Sequence, residues 1–302
     1  MITLLQLDYF RKLAVTEHIT QTAKELYISQ TALSSMIIGL EKELGIQLFD
    51  RSKRSIRLNQ AGKLYLDYVN QVFAALDNGR SALLELTESA EKNVSIAVGT
   101  SQVWLPMVLD FRKHYPEYTI KQQNKTLEGL IESLRSMESD FVIASVDEIP
   151  DPDLEHTFLK TDRVYLCVPK HHRLVGRESV YLKELENEAY IDLPAGTPWR
   201  EYCTRLFHRA GVNIHRVLEC DYSLRSALID SEFGVALTSA SAYEVDLFKP
   251  NCYIPIADDF ACREMALFWN PKKYMSKAAH SFRDFCAGYW TGEETTKKTS
   301  VN

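Results

Sequence analysis

Four cations, Arg51, Lys53, Arg54 and Arg57, fall within seven positions of a segment anchored by Leu48-Phe49 on one side and Leu58 on the other. Such side chains neutralise phosphates, and on a small two-stranded ribbon they would grip a nucleic-acid backbone. A second polar set, Gln30, Thr31, Ser34 and Ser35, lies on the first turns of a helical pattern and, with Thr20 at the start of the helix before it, can reach base edges and phosphates of DNA without desolvating a charge. Polar groups at a helix start also serve as caps and solvated surface. A third set follows predicted strand ends and one loop: Thr100, Ser101, Gln102, Thr126, Ser145, Thr197 and Thr238. With backbone amides at helix starts these groups suit a small anion such as a carboxylate, and each could equally cap the next helix.

Other candidate chemistry is weaker. The six cysteines, at 167, 203, 220, 252, 262 and 286, include no C-x-x-C pair, and reduced core residues are their simplest reading. Cys167 with His171 and His172 lacks a fourth zinc ligand at a persuasive spacing. There is no dinucleotide fingerprint, phosphate loop, H-E-x-x-H or G-x-S-x-G. No catalytic residue, metal site or cofactor is therefore assigned, and an enzyme is not expected.

The elements that must position the first two sets are helical. Leu4, Leu7, Phe10, Leu13 and Ala14 give a first helix its apolar face. A short second helix runs from Thr20, expected to satisfy its free amides, to Leu26. A third follows Ser29 and ends at Gly45, with Leu33, Met36, Ile37, Leu40 and Leu44 as its stripe. Two short helices around a tight turn describe a helix-turn-helix, and the basic ribbon after them reads as its wing. From Gln60 to Leu86 a proline-free pattern leaves a narrow apolar seam, suited to a second copy or to the chain's own following domain.

Beyond residue 90 the pattern changes to alternating strands and helices. Strands Val94 to Val98, Tyr118 to Gln122 and Phe141 to Ala144 enclose helices Trp104 to His114 and Leu127 to Met137. A second series has strands Val164 to Val168, Val217 to Cys220 and Val235 to Leu237, with helices Trp199 to Ala210 and Leu224 to Asp230. Two lobes with mainly parallel sheets follow, with a ligand cleft between them beyond the strand ends.

Composition agrees with this division. The 302 residues carry a net charge of -6, which taken whole argues against nucleic acid. Residues 1–63, however, hold nine Lys and Arg against six acids, so the head is +3 and the remainder -9. None of the ten prolines precedes Pro106. No apolar run approaches a membrane span and the start shows no secretion signal, so a cytoplasmic location without membrane association is expected.

The head resembles the LysR-type transcriptional regulators of bacteria through Leu7, Phe10, Ala23, Ser29-Gln30, Ala32-Leu33-Ser34, Ile37, Leu40-Glu41, Leu44-Gly45, Leu48-Phe49, Arg51 and Leu58 to Gly62. It departs from the family at Glu17-His18, where Gly-Ser is usual, and at Thr22, Thr31 and Ser35-Met36. The later chain is similar to the family's effector domain at 111–116, 139–144, 168–174 and 233–237, with Glu232 and Ser239 departing. The resemblance implies a winged helix-turn-helix over 1–60, a linker and dimerisation helix over 61–90, and a two-lobed, periplasmic-binding-protein-like α/β domain over 91–302. Lobe I would take about 91–165 and 267–290, and lobe II about 166–266. It further implies a homodimer or homotetramer on a dyad operator of double-stranded DNA, a small-molecule effector near Thr100 and Ser101, and contact with RNA polymerase. Two alternatives stand beside it: a solute-binding or enzymatic α/β protein whose head only dimerises, and a redox regulator using Cys203 and Cys220.

Overall fold

The computed structural model describes residues 1–51, 56–86, 92–100, 102–245 and 252–290; the expected contacts Lys53, Arg54 and Ser101 lie outside them. Two compact units result, one spanning Met1–Leu83 and one holding Leu84–Leu134 and the chain from Glu138. Among the described residues no helix is long and apolar enough to cross a membrane.

In the first unit, helix α1 (Leu4–Thr16) starts from a capping box in which Thr3 and Gln6 satisfy each other's amides. It ends at Glu17, a left-handed residue with φ 49°. Helix α2 (Ile19–Glu25) is capped by His18, whose Nδ1 accepts from the Gln21 amide at 3.3 Å. The expectation that Thr20 fills this role is corrected: it sits inside the first turn, and its hydroxyl donates to Gln30 Oε1 at 3.1 Å. Helix α3 (Gln30–Leu44) runs from the Ser29 cap to left-handed Gly45, as its sequence dictates. Strands β1 (Phe49–Arg51) and β2 (Ile56–Leu58) form the antiparallel ribbon. Phe10, Leu13, Leu33, Ile37, Leu40 and Phe49 are buried together beneath it.

Helix α4 occupies Gln60–Leu86. Gly62 opens it because a Cβ there would stand 2.2 Å from the Leu48 carbonyl oxygen. The single expected seam is in fact two faces. Ala61, Tyr65, Val69 and Phe73 pack into the head core, while Leu64, Tyr68, Val72, Leu76 and Leu83 are exposed.

The second unit begins with parallel strands β3 (Asn93–Val98), β4 (Thr119–Asn124) and β5 (Phe141–Ser145), connected by α5 (Leu105–His114) and α6 (Leu127–Arg135). Strand β6 (Glu155–Val168) leads to β7 (Ala189–Asp192), α7 (Pro198–Ala210), β8 (His215–Glu219), α8 (Tyr222–Asp230), β9 (Ala236–Ser239) and α9 (Ala240–Glu244). Strands β10 (Cys252–Pro255) and β11 (Cys262–Trp269) and helix α10 (Lys277–Tyr289) complete it. One lobe is built around Val94, Ile96, Phe111, Phe141, Leu267 and Phe282, the other around Leu166, Tyr190, Trp199, Phe207 and Leu237.

The expectation of mainly parallel sheets is corrected. Among the described residues parallel pairing is confined to β4-β3-β5 and β7-β8, where helices cross over, plus isolated bridges. Strand β6 pairs antiparallel with β11 along Glu155–Arg163 and with β9 and β10 along Val164–Val168. The chain crosses between the lobes once in each direction, so the outgoing and returning strands lie side by side.

Candidate nucleic-acid interface and effector cleft

On α3, Gln30, Thr31 and Ser35 are exposed and Ser34 is half-buried, all within the first two turns after the Ser29 cap. The Thr20–Gln30 bond ties this face to α2. The ribbon behind is fixed by two glutamates that the sequence patterns did not mark as functional. Glu41 is buried; its Oε1 accepts from the amides of Leu48 at 2.9 Å and Phe49 at 3.3 Å. Its Oε2 accepts from Arg51 Nη2 at 2.6 Å. Arg51 therefore spends one edge of its guanidinium on the Glu41 pair and keeps the rest exposed, whereas the sequence alone treats it as a wholly free phosphate ligand.

Glu17 holds the other strand. Its Oε1 accepts from the Leu58 amide at 2.8 Å, and Oε2 accepts from Arg57. The Leu58 amide and then the Arg57 guanidinium pull its carboxyl below the usual carboxylate value. The visible signal was Glu17 itself, a charged residue at a helix end where the resembling family carries glycine.

In the second unit a cleft of about 490 Å³, including its open mouth, lies between the lobes. Gly99 and Thr100 after β3, Glu148 after β5, Tyr222, Thr238 on β9 and Arg263 on β11 form its polar wall, with Trp104 and Trp199 among its apolar lining. Lobe-to-lobe polar contacts surround it. Thr100 Oγ1 donates to the Tyr222 hydroxyl at 3.1 Å, Leu127 N donates to Gly196 O at 3.1 Å, and Arg205 Nη2 lies 3.1 Å from Asp147 Oδ2.

The charged centre of the wall is Arg263, 9% exposed. Its Nη2 donates to Asp162 Oδ2 at 2.7 Å, and its guanidinium stacks over the rings of Trp199 and Tyr202, 4.6 and 5.2 Å from their centroids. Burial alone would lower its pKa; the Asp162 and Glu148 carboxylates outweigh that and hold the guanidinium charged. The second Asp162 oxygen, Oδ1, accepts from both the amide and hydroxyl of Ser241. Glu148 is the opposite case, since burial raises its carboxyl above the ordinary value despite the Arg263 charge.

Of the expected effector contacts, Thr100 and Thr238 line the cleft. Four others do not. Gln102 is exposed in a short 3-10 turn, and the Thr126 hydroxyl caps α6 by accepting from the Gly129 amide. Ser145 bonds Asp147, and Thr197 donates back to the Pro194 carbonyl at 2.8 Å. For Thr126, Ser145 and Thr197 a partner within the local turn or helix start claims the hydroxyl, the competing role such residues have. Arg263 and Glu148 escaped sequence reasoning, although Ser145-Val-Asp-Glu148 is a legible capping-box signature.

Cys167, Cys203, Cys220 and Cys286 are buried, and burial pushes the Cys167 and Cys203 thiols up to about 12. Thiols so held are poor nucleophiles, which speaks against the redox alternative. Among the described residues no group of His, Cys, Asp or Glu is arranged to hold a metal ion.

Residues 4–63 match the family model for the bacterial regulatory helix-turn-helix protein, lysR family, and residues 88–291 match the LysR substrate binding domain. The chain is 27% identical over 299 residues to the uncharacterized HTH-type transcriptional regulator YybE of Bacillus subtilis, covering 95% of this chain and 98% of that protein. It is also 27% identical over 290 residues to the transcriptional dual regulator GltC of the same organism, with 95% and 97% covered. Full-length OxyR from Pseudomonas aeruginosa, in a Cys-to-Asp variant, shares the fold at TM-score 0.69 and 20% identity, covering 95% of both chains. So does CbnR complexed with its target DNA, at TM-score 0.63 and 18% identity over 94% of this chain and 99% of that one. An exposed-face helix-turn-helix with a pinned ribbon, followed by two lobes around a polar cleft, thus coincides with both family models: the chain belongs to the LysR family of DNA-binding transcriptional regulators with an effector-binding domain.

Proposed function

We propose that this regulator acts as a homodimer or homotetramer on a dyad operator, with occupancy of the interlobe cleft by a small molecule selecting between two arrangements of its heads. The exposed α4 row from Leu64 to Leu83 is the pairing surface. Gln30, Thr31, Ser34 and Ser35, with Thr20 positioning Gln30, read bases, while Lys53, Arg54 and the exposed edge of Arg51 neutralise phosphates. Thr100 and Thr238 contact the effector. The protein works in the cytoplasm, carries out no catalysis of its own and influences RNA polymerase at the promoter.

The single observation that carries this reading is the cleft wall. It places buried polar residues of both lobes around one space, beside contacts a ligand could strengthen or break. The test is selection of bound genomic fragments by the full chain, followed by salt titration of the selected duplex. Replacing Lys53 and Arg54 with alanine should weaken specific and random duplexes alike and flatten the salt slope; an unchanged slope refutes the wing assignment.

A further inference from the structure

The cleft wall holds polar atoms whose hydrogen-bonding needs the protein leaves unmet. The 3-10 turn Val146–Glu148 is closed by a capping box in which Glu148 Oε2 accepts from the Ser145 amide at 3.0 Å. That bond orients the carboxylate and leaves Oε1 buried without a hydrogen-bond partner. Its closest cationic group is Arg205 Nη2 at 3.7 Å, which already sits 3.1 Å from Asp147. Arg263 Nε and Thr238 Oγ1, on the same wall, are likewise buried without partners. One acceptor, one cationic donor and one hydroxyl therefore await a ligand, and each costs stability while it waits.

Charge decides what kind of ligand fits. The Arg263 charge is answered by Asp162 through a 2.7 Å ion pair. A simple carboxylate would meet a guanidinium already neutralised and would bring a second negative charge to the wall that carries Glu148. Carrying an ammonium group as well reverses the balance, because a positive N–H donor meets Oε1 while the carboxylate accepts from Arg263 Nε and Thr238. The placement of all three residues on the wall of one cleft suits a small molecule bearing both groups.

Resting on the effector reading above, we infer that the ligand is a small zwitterion of amino-acid type, its ammonium held by Glu148 and its carboxylate by Arg263 and Thr238. This narrows the anion expected from the sequence to one that also carries an amine.

The test is calorimetric titration of the full-length protein with the proteinogenic amino acids and, for each, the matched acid lacking the amine, such as L-glutamate against glutarate. At least one amino acid should bind, and its amine-free partner should bind about tenfold more weakly or worse, as loss of a charged hydrogen bond requires. Glu148→Gln keeps the capping acceptor and should remove that preference; Thr238→Val, similar in shape, should weaken binding independently. Equal affinity of the matched pair, an unaltered preference in Glu148→Gln, or no amino acid bound overturns the assignment. Operator affinity measured in parallel separates this from the broader reading. An amine-free acid that binds and shifts operator affinity sinks the zwitterion and retains the effector cleft. An amino acid held through Glu148 without any change at the operator does the reverse.

Discussion

Replacing Glu41 tests whether the wing is held from below. The carboxylate satisfies two main-chain amides, Leu48 and Phe49, and pairs with Arg51. In Glu41→Ala the two N–H groups lose their acceptor beneath the ribbon, at about 1–3 kcal/mol each. The Phe49 contact is long at 3.3 Å and belongs at the lower end. The Arg51 side chain is 35% exposed, so solvent screening limits its pair to under about 1 kcal/mol. The total is about 2–5 kcal/mol, whereas Glu41→Gln keeps an acceptor and should lose only about 1 kcal/mol. Trp104, Trp199, Trp269 and Trp290 all lie in the second unit, so their fluorescence is blind to the head. Urea titration followed by far-ultraviolet circular dichroism reports the helices of both units, so the head transition is the part that the tryptophan signal lacks. A head transition in Glu41→Ala that coincides with wild type, or a glutamine variant as damaged as the alanine one, refutes the reasoning. Arg51→Ala should lose less DNA affinity than Lys53→Ala because Glu41 holds one edge of the guanidinium, and an equal loss would show that the pair does not restrain it.

Three further outcomes are expected. Glu17 has a lowered folded-state pKa, so its contribution to stability is present above the unfolded value of 4.5 and is lost as pH falls through the folded one; Glu17→Gln should flatten the acid limb of the head's stability curve. Glu148 has a raised one, so its contribution is full below 4.5 and declines as pH rises through the folded value; Glu148→Gln should raise the second unit's melting temperature at neutral pH and not in acid, and the same gain at both would contradict this. Asp162→Ala removes the ion-pair partner of a buried cation, leaving only the Glu148 charge to answer it, and should cost about 3–5 kcal/mol by tryptophan fluorescence, with Asp162→Asn/Arg263→Met much nearer wild type. A double variant as unstable as Asp162→Ala would show that the aspartate's bonds to Ser241, rather than the ion pair, hold this region.

Local signals were legible where one element settles its own boundaries. Ser29 and Gly45 delimit α3, and the uninterrupted Gln60–Leu86 pattern delimits α4, because caps and apolar periodicity act within a few turns. The two faces of α4 could not be separated, since which apolar row meets the head depends on the angle at Gly62. Hydroxyls gave the least reliable guide to the cleft. Thr100 and Thr238 reach it, but Thr126, Ser145 and Thr197 are taken by neighbouring turns, and composition is the same in both cases. Arg263 was hidden for a different reason. It lies in a strand otherwise rich in apolar residues, and its role comes from Asp162, about a hundred positions earlier in the chain, brought beside it by the β6–β11 pairing. Glu17 shares that origin, acting on ribbon residues about forty positions later, whereas Glu41 reaches only to the strand that follows its own helix.

Strand β6 pairs with β11 along its first part and with β9 and β10 along its last, so the lobes share a structural member instead of being joined by a loose joint. Relative motion must be absorbed as a change of twist spread along two paired strands, with every ladder bond retained. Such a spring has a restoring force, and ligand removal should return the lobes to their starting angle without a search through disordered states. It also means that a single lobe is not a transplantable cassette. A cut near residue 165 divides β6 between its β11-paired half and its β9- and β10-paired half, so a working chimera has to place its junctions outside this strand.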